Sequence, residues 1–269
     1  MKHCSKYGKA FSLGLQSTLE YRFNFLLGLL GFLFTMTIQY FMWSGIYKST
    51  GSTLVYGYTY PQMILYSFFA ALVSKLVAGG FEYGILDDIK NGGLSKFIIK
   101  PIGYLRYRFA CFLGERAFYF CVILLLITIL SGIFHVIFDY QPLFVHWVFF
   151  VVSILLSIVL NFLIYSSLAA LSFWVTEASG IFVICGLVIN ALSGGIFPID
   201  IFGSTLQQAF RYLPFQYTIY FSVNVLEGKL MAGEVLLGLE IQCLWIAVML
   251  LVMQGIWKIG MKKYVAIGG

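Results

Sequence analysis

Few residues of this chain have the types and spacing that catalysis requires. The three histidines, His3, His135 and His146, stand apart, and no group of Cys, His and carboxylate residues has metal-ligand spacing. The G-x-x-x-x-G-K-[ST] sequence, which cradles nucleotide phosphates, is absent. Ser193, in Ala191-Leu192-Ser193-Gly194, is a weak candidate for an intramembrane nucleophile, because no histidine follows it and the nearby glycines are better explained as a helix break. We therefore expect no catalytic, cofactor-binding or metal site in this chain.

Ionisable residues inside or beside apolar segments are a second source of chemistry. Such residues are costly at membrane depth and indicate transport or pairing functions. The alternative is that they lie near helix ends and reach the headgroups. Glu115 is expected to pair with Lys75 or Arg108 across neighbouring helices. The candidates are Lys75, Glu82, Glu115, Arg116 and Glu177.

Long apolar segments must hold these residues in place. The chain is 61% hydrophobic and only 10% charged, far from the roughly one-quarter charged residues of a soluble domain. A helix needs about 20 apolar residues to cross a bilayer. Six segments meet this requirement approximately: 23–47, 61–81, 109–135, 147–176, 178–197 and 235–257. The sequence predicts an all-α polytopic membrane protein with six transmembrane helices, forming a single transmembrane domain over residues 1–269.

Basic residues predict the orientation of these helices. Twelve lie in the segments before the first span, between the second and third, and after the sixth, whereas the other links contain three. The twelve are Lys2, Lys6, Lys9, Arg22, Lys90, Lys96, Lys100, Arg106, Arg108, Lys258, Lys262 and Lys263. Positive residues stay in the cytoplasm, so both termini are expected there. The basic residues are dispersed along membrane-flanking segments, which indicates contact with membrane lipids rather than nucleic acid.

The first 22 residues have the pattern of an interfacial helix. Tyr7, Phe11, Leu15 and Leu19 recur at steps of four, and polar residues fall largely on the other side. This pattern predicts an amphipathic elbow helix at the membrane surface. A frayed polar tail is the alternative.

The link at residues 82–108 predicts a short cytoplasmic helix. An apolar stripe of Ile85, Leu86 and Ile89 opposes Asp87, Asp88, Lys90 and Asn91. Gly92-Gly93 then breaks the helix, and a second apolar patch with Leu94 and Phe97 runs to Pro101, where the backbone is expected to turn. The apolar stripe must be buried, either on the membrane surface or in a groove of a cytoplasmic partner. The residues alone favour neither.

The link at residues 198–234 predicts short helices that dip into the outer leaflet. Residues 212–226 are uncharged and rich in aromatic side chains, yet Pro214 interrupts them. Gly194, Gly195, Phe197 and Pro198 break the fifth span near its outer end. An ordinary outer loop is the alternative to this re-entrant region.

The order of these elements, together with local sequence, resembles the permease subunits of type-2 ABC exporters (the ABC-2 type transport system permease family). Ile89-Lys90-Asn91-Gly92-Gly93-Leu94, followed by Phe97-Ile98-Ile99-Lys100-Pro101, is similar to the I-x-x-G-x-L-x-x-x-L-x-x-P pattern around the coupling helix. Ser193-Gly194-Gly195-Ile196-Phe197-Pro198 and Tyr212-Leu213-Pro214-Phe215-Gln216-Tyr217 are similar to the G-x-I-F-P and L-P-F-x-Y signatures. The resemblance covers nearly the whole chain.

This resemblance implies a permease without ATPase activity in the cell membrane of a bacterium. ATP and Mg²⁺ would be bound by a separate cytoplasmic ABC ATPase, present in two copies, and a second permease chain, identical or homologous, would complete the transporter. The segment from Ile85 to Pro101 would contact the ATPase and couple it to spans one, two and five. A hydrophobic or amphipathic substrate, such as a peptide, lipid or drug-like compound, would move outward.

Two other classes of protein are alternatives. An ion-coupled secondary transporter typically has inverted repeats and charged residues near the membrane midplane. No repeat relates residues 1–135 to 136–269. A non-transporting immunity or scaffold protein of the membrane would need no ATPase partner.

Overall fold

The regular structure of this chain is helical. The computed structural model describes residues 2–20, 22–98, 100, 102–175 and 177–264, and it leaves the side chains of residues 2–5, 22–26, 29 and 98 undescribed. Within these ranges there is no strand, only an isolated bridge between Val55 and Tyr58. The α-helices are α1 Lys2–Glu20, α2 Arg22–Thr50, α3 Tyr60–Val77, α4 Phe81–Lys90, α5 Ser95–Ile98, α6 Tyr104–Phe138, α7 Phe144–Ala169, α8 Ser179–Leu192, α9 Gly203–Arg211, α10 Tyr220–Glu227 and α11 Ala232–Met261. Short 3₁₀ helices are Ala170–Phe173, Ile199–Phe202 and Phe215–Tyr217.

Several helices have the length and composition of membrane spans. Among the described residues four segments qualify: Tyr60–Lys90, Tyr104–Phe138, Phe144–Phe173 and Ala232–Met261. They support a polytopic, all-α membrane protein. The predicted first span lies within α2, some of whose side chains are outside the described residues, and α8 has only 14 residues. The count of six spans therefore stays a prediction.

Two helices end before the predicted apolar segments do. The second was predicted to run to residue 81, but α3 ends at Val77, and α4 begins after a break at residues 78–80. The apolar run of the fifth was predicted to reach residue 197, with a break at Gly194 and Gly195, and α8 ends just before that break, at Leu192. In both cases the apolar run continues past a pair of glycines, and the backbone turns there while the side chains stay apolar. Thr176, the predicted end of the fourth span, lies outside the described residues.

The core lies along α3 and α7. Large side chains such as Tyr66, Phe69 and Phe150 are fully buried there. By contrast, α6 and α11 expose apolar side chains, with Val136 84% and Leu251 69% exposed. Contiguous exposed apolar surface of this kind is rare in soluble monomers and is expected to face lipid or another subunit.

Helix α1 packs along the first half of α6 through small residues. Ala10 is buried, and Gly14 lies against the Cys111 carbonyl so closely that a Cβ there would overlap it. Of the predicted apolar stripe, Phe11 and Leu19 are exposed and Tyr7 and Leu15 are partly buried. A helix thus lies where the elbow was predicted, and its place at the membrane surface stays a prediction. Its packing face is the small-residue face, which leaves much of the apolar stripe available to lipid.

The bundle has two ends, which differ in content. We call one the terminal end; it holds α4, α5, the start of α6 and the end of α11. The other, the distal end, holds residues 51–59, 139–143 and 193–231. The two ends are defined by the residues they contain and not by the position of a membrane.

Candidate functional site

At the terminal end, the apolar face of α4 is buried within the chain itself. Ile85, Leu86 and Ile89 are at most 8% exposed. They belong to a cluster with Ala169, Ala178, Phe182 and other apolar residues from the end of α7 and the start of α8. The expectation that this stripe is buried on the membrane or in a partner's groove is therefore wrong. These apolar residues anchor α4 to the bundle, because the ends of α7 and α8 already cover them.

A polar cluster locks α4 onto α6. Asp88 forms an ion pair with Arg108 and accepts a hydrogen bond from Tyr104 Oη at 2.6 Å. The Arg108 guanidinium also donates to the Gly84 carbonyl at 2.7 Å and to Tyr104 Oη at 3.0 Å. Charge-assisted hydrogen bonds of this kind, partly shielded from water, fix both position and orientation. Helices α4 and α6 are thereby held as one unit.

The accessible part of the predicted coupling segment is polar, and it includes Lys96 and Lys100 as well as the end of α4, which we call the α4 tip. Asp87 and Asn91 are exposed, and Lys90 and the Gly92-Gly93 turn are partly buried. Leu94 is buried beneath the turn, and Phe97 packs edge-on against Tyr104 at 4.9 Å. Pro101 lies outside the described residues. A partner at this end would meet the polar edge of α4 and the turn that follows it.

Arg116 of α6 binds the end of α3. Its guanidinium is buried and donates to the carbonyls of Ala78 at 2.6 Å, Gly79 at 3.3 Å and Lys75 at 3.3 Å. These carbonyls are the ones that a helix leaves unpaired at its C-terminus, where a positive charge is also favourable. Asn161 of α7 donates to the neighbouring carbonyl of Val77. The break between α3 and α4 is thus fixed by side chains from two other helices.

The other predicted intramembrane charges have separate environments. Glu82 is buried and accepts a hydrogen bond from the backbone N–H of Gly80, at the start of α4. Glu115 is partly buried and forms no ion pair with Lys75 or Arg108 within the described residues, because Arg108 pairs with Asp88 instead. The expected Glu115 pair is therefore wrong. Glu177 is exposed.

Lys75 lies on a polar cleft between α3, α7 and α8. The cleft has a volume of about 280 Å³, and Lys75 is exposed in it. Ser74 donates to Asn190 Oδ1 at 3.4 Å across the cleft. The remaining polar lining comes from Asn161, Tyr165, Ser193 and Thr218. Polar groups at this depth are expected to face a water-filled path or another protein chain, because lipid cannot satisfy them.

The predicted distal region consists of short helices, as expected, and is tied to the bundle. Gly194 and Gly195 follow the end of α8, and the Gly194 carbonyl accepts a hydrogen bond from Tyr66 Oη at 2.7 Å. Phe197 packs edge-on against Trp43 at 6.2 Å, and Pro198 precedes the 3₁₀ helix Ile199–Phe202. Pro214 is buried and precedes the 3₁₀ helix Phe215–Tyr217. Whether these helices dip into the outer leaflet stays a prediction.

Sequence reasoning missed the polar cluster around Asp200 at the distal end. Asp200 accepts hydrogen bonds from Tyr58 Oη at 2.7 Å, from Tyr220 Oη at 2.9 Å and from Gln207 at 2.7 Å. Lys229 lies 3.6 Å from the same carboxylate. These residues come from four separate segments, so no spacing within one segment indicates that they form a cluster. The single signal was Asp200 itself, an acidic residue in a largely uncharged stretch.

A second missed cluster joins α7, α10 and α11. Gln242 is completely buried and donates to the Tyr217 carbonyl at 2.7 Å and to Ser157 Oγ at 3.1 Å. Ser222 of α10 lies 2.6 Å from Ser153 Oγ. An amide in an apolar helix was a detectable signal, since such residues often join membrane helices.

Comparison with known families assigns this chain to a family. A family model described as ABC-2 family transporter protein matches residues 33–268. The chain belongs to the ABC-2 transporter family. This confirms the resemblance to an ABC-2 type transport system permease. A search of curated proteins finds no match.

Family membership fixes the coarse role of this ABC-2 permease. It is a membrane-embedded component of an ABC transporter, and such components typically have no catalytic activity of their own. The family also implies association with an ABC ATPase.

Proposed function

We propose that this ABC-2 permease exports a hydrophobic or amphipathic substrate, with the exposed edge of α4 and its following turn as the surface that receives force from a cytoplasmic ATPase. The observation that carries the proposal is the way in which α4 is attached to the bundle. Its apolar face is buried in the bundle, Asp88 is paired with Arg108, and Asp87 and Asn91 at its C-terminal end are exposed. A helix that transmits force from a partner needs an accessible end that the partner can contact and a base that is fixed to the bundle.

The path from the tip to the membrane interior is short. Helix α4 follows α3 after three residues, and Arg116 and Asn161 hold the carbonyls at the end of α3. Helix α3 in turn lines the cleft that contains Lys75. Movement of the tip would therefore tilt α3 and change the width of the cleft between α3 and α8.

The polar residues of the cleft also favour the presence of a second permease chain. An exposed Lys75 beside the partly buried Asn190 would be costly on a bare membrane face, whereas a second chain, identical or homologous, would enclose them around a central path. Helix α2 exposes an apolar row beside this region, including Leu30, Phe34 and Phe41. In this proposal two permeases and two ATPases make the transporter, both termini and α4 face the cytoplasm, and ATP with Mg²⁺ is bound by the ATPases alone.

Purification with a charge-reversal variant tests this function. The tagged permease would be isolated in mild detergent from its own cells, copurifying proteins identified by mass, and ATP hydrolysis measured. The double variant Asp87→Lys, Lys90→Asp alters the tip, and Lys48→Glu, an exposed residue at the distal end, is the matched control. We expect an ATPase with Walker motifs to accompany the wild type and Lys48→Glu, and to be lost at least tenfold from the double variant.

Recovery of a folded wild-type chain alone would contradict the proposal and favour a secondary transporter or an immunity protein. An ATPase that accompanies the double variant at the wild-type level, with normal hydrolysis, would contradict the role of the α4 tip while leaving the family role intact.

A further inference from the structure

A second cavity, separate from the α3–α8 cleft, opens at the distal end. Its volume is about 510 Å³, and it lies where the starts of α3 and α7 meet the ends of α6 and α10. It shares no lining residue with the cleft around Lys75. No Lys or Arg is among its lining residues, although the chain has a net charge of +6. Its polar lining residues are Thr59, Gln62, Asp139, Tyr140, Gln141, His146 and Glu227.

Two buried atoms of this cavity have no hydrogen-bond partner among the described residues. They are Glu227 Oε1 and His146 Nδ1. Both belong to the same part of the cavity, because the His146 ring lies against Gly228, the residue after Glu227; a Cβ on Gly228 would be 2.8 Å from His146 Cε1. A carboxylate oxygen is an acceptor, and so is Nδ1 when the ring proton is on Nε2. Buried acceptors of this kind normally have a donor.

The nearest cation of the chain is engaged elsewhere. The Lys229 ammonium is 3.6 Å from Asp200 Oδ2 and 3.3 Å from the centre of the Tyr58 ring. Asp200 also accepts from Tyr58 and Tyr220, and Tyr140 donates to the Leu226 carbonyl, so none of these tyrosine hydroxyls points its proton at Glu227. Lys229 forms no ion pair with Glu227 within the described residues. Glu227 Oε1 therefore has no donor, and the nearby Lys229 is paired with Asp200 rather than with Glu227.

We propose that this cavity is a binding site for a primary ammonium group, held by Glu227 and His146. An –NH₃⁺ group has three N–H donors and one positive charge. Its donors can form hydrogen bonds with both unpartnered acceptors, and its charge is complementary to the acidic residues of the lining. A volume of this size suits a small organic molecule. The site faces the distal end and does not depend on the substrate that crosses the cleft.

Proton release accompanies binding in this proposal. Burial raises the pKa of Glu227, and nearby Lys229 lowers it only in part. In the empty cavity the carboxyl group therefore keeps its proton to a higher pH than an exposed carboxyl group does. An ammonium group stabilises the carboxylate, so the proton of Glu227 leaves to solvent as the cation binds, and affinity falls as the pH is lowered.

Calorimetric titration of the full-length permease in nanodiscs of zwitterionic lipid tests the site. The probes are n-butylammonium, n-butyltrimethylammonium and butanol, and empty nanodiscs give the background. We expect n-butylammonium to bind, the quaternary probe to bind at least tenfold more weakly because it has no N–H donor, and butanol not to bind. Equal affinities for the two cations, or no binding of n-butylammonium, would overturn the proposal.

Two variants assign the site to its residues. Glu227→Gln keeps the shape of the side chain and removes the charge, and we expect at least a tenfold loss of n-butylammonium affinity. Glu20→Gln removes an exposed carboxylate from α1 and is expected to leave the affinity unchanged. Wild-type affinity in Glu227→Gln would overturn the assignment. If Glu227→Gln fails to fold, the wild type decides: affinity that does not change with pH would contradict a role for Glu227.

Discussion

At the scale of single residues, this permease places its buried ionisable groups where they fix the backbone. Arg116 binds the carbonyls at the end of α3, Asp88 and Arg108 join α4 to α6, and Glu82 binds the backbone N–H of Gly80. A charge that is hydrogen-bonded in this way is costly to remove from one side only, because its partner is then left buried and unpaired. Glu227 differs, since its side chain forms no ion pair or hydrogen bond among the described residues and Oε1 is buried without a partner, whereas Arg116, although its Nε has no partner, binds three carbonyls through its other nitrogens.

The stability of the protein is expected to depend on pH through Glu227. The pKa of this group is raised by burial above its ordinary value of 4.5. A raised pKa in the folded state means that the contribution of Glu227 to stability is present below pH 4.5 and is lost as the pH rises through the raised pKa. The variant Glu227→Gln stays neutral, so its melting temperature should exceed that of the wild type by several degrees at pH 8 and by little at pH 4.

Thermal unfolding followed by tryptophan fluorescence, without amines in the buffer, measures this difference. The exposed Glu20→Gln supplies the comparison, and its melting temperature should track that of the wild type at both pH values. A Glu227→Gln advantage that is larger at pH 4 than at pH 8 would contradict the raised pKa.

At the scale of helices, α1 shows how small residues decide which face packs. The large apolar residues at steps of four suggested one packing face, yet Ala10 and Gly14 form the face that meets α6. Small residues let two backbones approach closely, and this is the usual means of association between helices where lipid offers the same apolar contact as protein. The result ties the first helix of the chain to the helix that also holds α4.

Substitution of Gly14 is expected to separate α1 from α6. In Gly14→Val the new side chain would overlap the Cys111 backbone, which cannot move aside within α6. We expect a loss of about 1–3 kcal/mol in the free energy of unfolding, as for other overpacked sites, and faster cleavage within α1 by added protease. Gly8→Val is the matched control, because a Cβ at Gly8 meets no atom within 4 Å.

How much of this architecture the sequence could predict depends on the range of the interactions. Apolar runs and glycine pairs act locally, so they predicted the long helices, the short α4 and the break after Leu192. The place where Ile85 and Ile89 are buried depends on the ends of α7 and α8, which lie some 80 residues or more away in the chain. The Asp200 cluster likewise joins Tyr58, Tyr220 and Lys229. Such pairings follow from the packing of the helices and could not be read from spacing.

At the scale of the whole molecule, the two ends are built for different tasks. The terminal end joins α4, α6, α7 and α11 through aromatic contacts, such as Tyr104 stacked on Trp257 at 5.3 Å. The distal end is held by the hydrogen bonds of Asp200 and by Tyr66, which donates to the Gly194 carbonyl. Side chains thus tie the segments of each end together, and the cleft around Lys75 reaches the distal end at Ser193 and Thr218.

The proposed orientation predicts which end is accessible from outside the cell. In a variant without native cysteines, Ser52→Cys places a thiol at an exposed distal position and Asn91→Cys places one at the exposed tip of α4. A membrane-impermeant maleimide should label the first on intact cells and the second only after permeabilisation. Labelling of Asn91→Cys on intact cells would reverse the proposed orientation.

The length of α8 has a consequence for the lipid around the protein. Fourteen residues of helix extend about 21 Å, whereas the hydrocarbon layer is about 30 Å thick. The exposed side of α8, with Val183, Ile184 and Leu187, offers an apolar surface shorter than the layer it meets. A bilayer compensates for such a mismatch by thinning beside the short helix. If α8 lies across the bilayer as predicted, the acyl chains beside it would be compressed, and an amphipathic substrate of the proposed kind would have the least distance to travel between leaflets at this helix, beside the polar residues of the cleft.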